Sequence, residues 1–276
     1  MKRACIVGWP VKHSRSPMIH RYWLRQHGLS GDYGQEAVAP ENFSGFLTML
    51  ADRGYVGCNV TLPHKEAAFA LLDEVDPAAA ALGAANTIWL EEGRLCGSNS
   101  DVVGFLSSLD ADVPGWADET GHSLVLGAGG AARGVVHGLL SRGVERVTVA
   151  NRSIDRAEAI AVEFGPRVKA AELDAVAHLL PDTELLINTT ALGMAGQPPL
   201  VLALDGLKAG AIVSDIVYVP LETDLILAAR ARGHRTVGGL GMLLHQAVPG
   251  FERWFGVTPA VTRDLYDLVA ADVRSS

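Results

Sequence analysis

Ser123-Leu124-Val125-Leu126-Gly127-Ala128-Gly129-Gly130-Ala131-Ala132 is the stretch that decides the fold. A short strand-like run enters a glycine turn, and a helical pattern covers Ala131 to Arg142 directly after it. Gly127, Gly129 and Ala132 form G-x-G-x-x-A. The first glycine permits a tight turn, the second lets a pyrophosphate approach the backbone, and the small third residue lets helix and strand pack closely. The helix N-terminus favours phosphate charge. Gly127, Ala128, Gly129, Gly130 and Ala131 are therefore expected to hold a dinucleotide; a purely structural turn is the alternative.

The following strand, Arg146 to Ala150, sharpens this expectation. Units that bind NAD usually end it with an acid that holds the ribose diol. Here it ends in Asn151-Arg152-Ser153, with Arg156 one helical turn on. Asn and Ser can hydrogen-bond a 2′-phosphate, and guanidinium groups pair with it or stack on adenine. The pattern favours NADP over NAD. An exposed helix face is the alternative for the two arginines, and Asp155 is a nearby acid with which one of them can pair.

Working outward, strand and helix patterns alternate along the chain, which predicts α/β architecture with parallel sheets. Upstream, strands are expected at 4–8, 33–38 and 55–60, helices at 17–27, 41–53 and 65–72, and a hairpin at 85–90 and 94–97 around Glu91-Glu92-Gly93. Downstream, a helix is expected at 154–164, strands at 185–188, 211–215 and 236–238, and a helix at 225–232. The tail from Gly241 to Val273 is mostly helical and follows the nucleotide-type pattern. We expect a discontinuous first domain, residues 1–103 plus 241–276, around a second at 104–240. Helices near 103–109 and 241–246 would link them.

Composition narrows the class. The chain has 276 residues, 49% hydrophobic and 20% charged, with formal net charge −8. This is an ordinary globular composition, and the negative balance argues against broad nucleic-acid or anionic-membrane binding. No apolar run is long enough to span a bilayer, and the run after Met1 is too short for a signal peptide. Cys5, Cys58 and Cys96 are odd in number and far apart, so they suit neither a disulfide framework nor a zinc site. Buried free thiols and a cytoplasmic location are expected.

Chemistry gathers at Asn59-Val60-Thr61-Leu62-Pro63-His64-Lys65, where a strand ends in polar groups and a helix begins with a lysine. Strand ends are where α/β proteins place their sites. A lysine there can serve as proton donor, because burial and neighbours tune it. Ser14-Arg15-Ser16-Pro17 offers two hydroxyls and backbone N–H groups at a helix start, a small anion site, with Ser16 also a candidate N-cap. Asn86-Thr87 and Asn99-Ser100-Asp101 add short polar groups at strand ends, a set suited to a polyhydroxylated ligand. Asp101 and Lys65 are its opposite charges and are expected to share a proton; a structural ion pair is the alternative. His13 and His20 lack a third ligand at suitable spacing, so no metal is expected.

A series of segments then falls into one order: Gly8-Trp9-Pro10 with His13 to Pro17; Asn59 to Lys65; Gly83 to Thr87; Gly97 to Asp101 with Gly104-Phe105; Gly127 to Arg133; Asn151-Arg152-Ser153; Asn188-Thr189-Thr190 with Gly193-Met194; Asp215 to Tyr218 with Pro220; and Gly239 to Leu243 with Gln246. In this the chain resembles the shikimate dehydrogenases from Gly8 to Gln246. The resemblance implies an α/β substrate domain completed by C-terminal helices, a Rossmann-type NADP domain, and a monomer or homodimer.

It also implies roles. Ser14 and Ser16 would hold the substrate carboxylate. Thr61, Asn86, Asp101 and Gln246 would bind ring hydroxyls, and Tyr218 would close the pocket. Lys65 would be the acid/base with Asp101 as partner. Ile216 and Gly239 would lie near the nicotinamide. The implied reaction is reversible reduction of 3-dehydroshikimate to shikimate by NADPH. A quinate or dual-specificity dehydrogenase is the near alternative. A ligand-binding homologue without turnover is the distant one, against which the retention of Lys65 and Asp101 argues. The chain departs from the usual Asn-Thr-Asp-Gly with Asn99-Ser100-Asp101-Val102, which puts substrate preference and rate in question. Ser153 stands for the commoner threonine, and Pro77 for a polar residue.

Overall fold

The structure, a computed structural model, describes residues 1–275. Residue contacts divide it into two compact units, Met1–Val103 with Leu244–Val269, and Gly104–Leu243 with the chain from Ala270 on.

The first unit opens with β1 (Lys2–Gly8), α1 (Ser16–Gln26), β2 (Gly31–Ala37), α2 (Pro40–Thr48), β3 (Gly57–Val60) and α3 (Lys65–Ala70). It continues with β4 (Glu74–Val75), α4 (Pro77–Leu82), β5 (Thr87–Glu91) and β6 (Arg94–Ser98). Its sheet runs β2-β1-β3-β5-β6-β4. Only part of it is parallel: the expected hairpin is β5–β6, and the antiparallel β3–β5 pairing is the departure from the expectation. The pairs β1–β2, β1–β3 and β4–β6 are parallel, while β3–β5 and β5–β6 are antiparallel. The antiparallel turn follows from sequence: Glu92 and Gly93 both have positive φ (51° and 78°), which a two-residue hairpin of primed type requires.

The helix expected at 41–53 stops at Thr48. The Thr48 hydroxyl turns back on the Ser44 and Gly45 carbonyls, a local bond that competes with helix continuation. Asp76 caps α4 by accepting the Ala79 N–H at 2.7 Å, with Pro77 in the first turn.

The second unit holds most of α5 (Ser100–Asp112), then β7 (His122–Leu126), α6 (Gly130–Ser141), β8 (Arg146–Asn151), α7 (Ile154–Phe164), β9 (Val168–Glu172) and α8 (Val176–Leu179) between 3₁₀ turns. β10 (Leu185–Asn188), β11 (Ile212–Asp215), α9 (Asp224–Ala231) and β12 (Arg235–Val237) follow. All six strands are parallel, in the order β12-β11-β10-β7-β8-β9. This is a doubly wound sheet whose order reverses between β7 and β10, and the glycine loop leaves β7 at that switch point. β9 went unpredicted because Val168-Lys169-Ala170-Ala171-Glu172 has a single β-branched residue and pairs only with β8.

The tail forms α10 (Gly239–His245), α11 (Val248–Phe255) and α12 (Arg263–Ser275). α11 packs on the first sheet, where Trp254 Nε1 donates to the Ile88 carbonyl at 2.9 Å; the segment after α11 is held to α1, where Trp23 Nε1 donates to the Ala260 carbonyl at 3.0 Å. Gly57 makes that approach feasible, because a Cβ there would lie 2.0 Å from Trp254 Nε1 and 2.3 Å from the Ile88 oxygen. Cys5, Cys58 and Cys96 are free and buried. No described helix is long and apolar enough to cross a membrane.

Candidate active site

Lys65 opens α3, and the residue before it explains its placement. His64 is buried, its ring stacked on Phe43 at 4.3 Å and its Nε2 2.7 Å from the Val38 carbonyl. The Lys65 backbone carbonyl accepts the Ala85 N–H at 3.0 Å, which ties the helix start to the approach to β5. Asp101 sits in the first turn of α5, where its N–H meets Asn99 Oδ1 at 3.2 Å, a capping arrangement.

These placements bring Lys65 Nζ to 2.5 Å from Asp101 Oδ2. Asn86 Nδ2 donates to the other carboxylate oxygen at 2.8 Å. Both members of the ion pair remain about a quarter exposed, so a ligand can reach them. Behind them Asn86 Oδ1 accepts from Ser100 N–H (2.8 Å) and Ser100 Oγ (3.0 Å).

Ser14 Oγ accepts the Ser16 N–H at 3.3 Å and lies 3.3 Å from Ser16 Oγ. Ser16 is the first residue of α1 and makes no capping bond, so the candidate N-cap role is absent. Thr61 directly follows β3 beside β1, its N–H bonded to Val7 O at 2.9 Å. Among the described residues its side chain makes no hydrogen bond to the Lys65–Asp101–Asn86 group. Gln246 follows α10 within the first unit. Val102 is buried at 5% exposure, so that departure acts through packing inside α5.

The remaining predicted residues lie on the second unit. Gly127 has φ +102°, and a Cβ there would come within 2.9 Å of Thr189 and Thr190. Open space surrounds Gly129 and Gly130, so the loop leaves its backbone accessible to a phosphate. Ala131 follows in the first turn of α6. Asn151 Nδ2 donates to the Ser153 carbonyl at 2.9 Å and shapes the end of β8. Arg152 and Arg156 are exposed and, among the described residues, neither side chain has an ion pair; Asp155 pairs with neither. By contrast Arg133 is held by Glu163 in a two-point contact of 3.0 and 2.6 Å. Two uncompensated guanidinium groups beside a glycine loop fit a 2′-phosphate.

Ile216 and Tyr218 follow β11, in a loop that a buried carboxylate shapes. Asp215 accepts from Asn188 (2.9 Å), Val217 N–H (3.0 Å) and Thr223 (2.7 Å). Burial pushes its pKa up, and these bonds oppose that. Gly239 approaches the same loop, since a Cβ there would lie 2.2 Å from the Ile216 oxygen. Sequence reasoning did not single out the Asp215 carboxylate, Tyr33 or the buried state of His20; for Tyr33 the available signal was its inward position in the strand pattern. Among the described residues no group of three or more His, Cys, Asp or Glu side chains is placed to hold a metal.

Comparison with known proteins agrees with this geometry. The profile "Shikimate dehydrogenase substrate binding domain" matches residues 6–88, "Shikimate / quinate 5-dehydrogenase" matches 117–195, and "Shikimate 5'-dehydrogenase C-terminal domain" matches 239–263. A curated protein of Azorhizobium caulinodans named shikimate dehydrogenase (NADP(+)) is 58% identical over 275 residues, covering 100% of this chain and 98% of its own. The chain belongs to the shikimate dehydrogenase family. Among solved family structures, shikimate 5-dehydrogenase of Thermus thermophilus in complex with NADP(H) and shikimate is 37% identical, with TM-score 0.87, covering 99% of this chain and 100% of that one. Quinate dehydrogenase of Corynebacterium glutamicum in complex with NAD is 29% identical, with TM-score 0.89, covering 98% and 99%.

Proposed function

We propose that this family member is an NADP-dependent shikimate dehydrogenase that interconverts 3-dehydroshikimate and shikimate. The observation that carries the proposal is the Lys65–Asp101 pair at 2.5 Å, with Asn86 on the free carboxylate oxygen. Residues 1–103 with 244–269 form the substrate domain and 104–243 the NADP domain, which shifts the expected boundaries of 241–276 and 104–240.

Ser14 and Ser16 bind the substrate carboxylate through their hydroxyls. Thr61, Asn86, Asp101 and Gln246 take the ring hydroxyls. Gly127 to Ala131 hold the pyrophosphate; Asn151, Arg152, Ser153 and Arg156 hold the 2′-phosphate and adenine; Ile216 and Gly239 flank the nicotinamide. Bound NADPH supplies the hydride. As negative charge grows on the substrate's carbonyl oxygen, Lys65 gives it a proton, and in the oxidative direction Lys65 takes the proton back. Asp101 orients the ammonium and a ring hydroxyl. Such acid catalysis is worth roughly 10²–10⁴-fold. The enzyme acts in the cytoplasm on small molecules, as a monomer or homodimer, without nucleic-acid or membrane partners.

The deciding experiment crosses shikimate and quinate with NADP and NAD in one set of assays. Fastest turnover with shikimate and NADP supports the proposal. Faster NAD-dependent quinate oxidation would replace it with a quinate dehydrogenase, and tight shikimate binding without hydride transfer would make the chain a binding protein.

A further inference from the structure

Behind the ion pair lies a hydrogen-bond chain that crosses the first sheet and has only one possible direction. Asn59 Nδ2 lies 3.2 Å from the Asn86 carbonyl, an obligate acceptor, and 3.1 Å from Thr87 Oγ1. The Asn59 amide is thereby oriented, and its Oδ1 must accept from Tyr33 OH at 2.5 Å. Thr87, having accepted from Asn59, passes its proton onward to Ser100 Oγ (2.9 Å) or Asn86 Oδ1 (3.2 Å). Asn86 Oδ1 also receives the Ser100 N–H, a donor only, so Asn86 Nδ2 must face Asp101 Oδ1. The links from Tyr33 through Asn59, Thr87 and Asn86 donate toward Asp101 whichever way the Thr87–Ser100 contact runs, and its remaining oxygen is left for Lys65.

The far end of the chain is buried, and there the Ser16 side chain also bonds the Tyr33 hydroxyl. Tyr33 is fully buried, and its ring stacks on His20 at 4.0 Å and 8°. Asn59, Thr87 and Ser100 are all below 5% exposure, so water does not compete for these bonds. Chained donors polarise one another, which strengthens the last bond in the series. We propose that Tyr33, Asn59 and Thr87 are positioning residues for the reaction, holding the Asp101 carboxylate and through it the Lys65 ammonium in the orientation that proton transfer needs. Burial raises the Tyr33 pKa well above its ordinary value, which keeps the hydroxyl protonated as the chain's first donor.

This rests on the proposed dehydrogenase activity, so wild-type turnover of shikimate with NADP is measured first; its absence would sink that reading and not this one. Tyr33→Phe removes the first donor and keeps the stacked ring. Its kcat should fall about three- to ten-fold, the rate equivalent of one neutral hydrogen bond, with KM for NADP within about two-fold. Thr87→Val, a middle link, should do the same. The double variant should lose less than the product of the single losses, because the two act through one chain although they do not touch. Cys58→Ala, beside Asn59 but outside the chain, serves as the packing control; it should lower Tm and leave kcat unchanged. Unchanged kcat in Tyr33→Phe would overturn the proposal. So would full multiplicativity in the double variant, or a kcat loss in the control that matches its fall in Tm.

Discussion

At the scale of single residues, Lys65 and Asp101 form an ion pair at 2.5 Å that we propose works as one acid/base unit. Replacing Lys65 with Ala should lower kcat by roughly 10²–10⁴-fold with a smaller change in KM, as initial-rate kinetics will show. A collapse of KM with kcat retained would mean that Lys65 binds substrate and does not transfer the proton. His20 supplies a different test. It is fully buried, neither ring nitrogen makes a hydrogen bond of normal geometry, and burial lowers its pKa to about 3, an approach of Asn59 only partly offsetting this. Its unfolded value is about 6.5. The unfolded chain therefore binds a proton that the native state refuses, and stability falls as pH drops from about 6.5 toward 3, by about 1.4 kcal/mol per unit. His20→Phe keeps an aromatic ring and removes this dependence. Urea titrations should give a flatter stability curve between pH 6 and 4 than in the parent, with stability at pH 7.5 equal or higher. An unchanged slope would show that another group dominates acid unfolding.

Secondary-structure elements carried most of the fold's legibility. The helix at 154–164 and the strand at 185–188 were readable to the residue, because each has a clean period and a clear stop. What was not readable depends on partners far away in sequence. β9 is a strand because β8 offers it an edge, and the antiparallel insertion of β5 between β3 and β6 has no local signal beyond its hairpin turn. The same split holds for the site. Lys65, Asp101 and Asn86 were legible as polar residues at strand ends, whereas the buried chain behind them was not, since Tyr33 and Asn59 reveal their roles only once β2 and β3 are placed. Gly57 belongs here too. Gly57→Ala sets a Cβ against Trp254 and the Ile88 carbonyl, so α11 must move off the sheet. A loss of about 1–3 kcal/mol or more is expected by denaturant unfolding. An unaffected midpoint would show that α11 is not held there in solution.

Over the whole molecule, the proposed binding residues are divided by unit: hydroxyls and the Lys65–Asp101 pair on the first, the glycine loop and free arginines on the second. Arg152→Ala or Arg156→Ala should raise KM for NADP about 10- to 100-fold while KM for NAD stays within about two-fold, because only the phosphorylated ribose makes those charge-assisted bonds. Equal effects on both cofactors would mean that the arginines stack on adenine and do not read the phosphate.

Those unpartnered arginines have a consequence for how the protein responds to its surroundings. An exposed cation held in no ion pair is neutralised by the ions of the medium, and a phosphate must displace that atmosphere to bind. The proposed carboxylate anchor is two serine hydroxyls, which are neutral and gather no such atmosphere themselves. Ionic strength is then a dial that acts unequally on the two ligands: added salt weakens the hold on the cofactor well before it weakens the hold on the small acid.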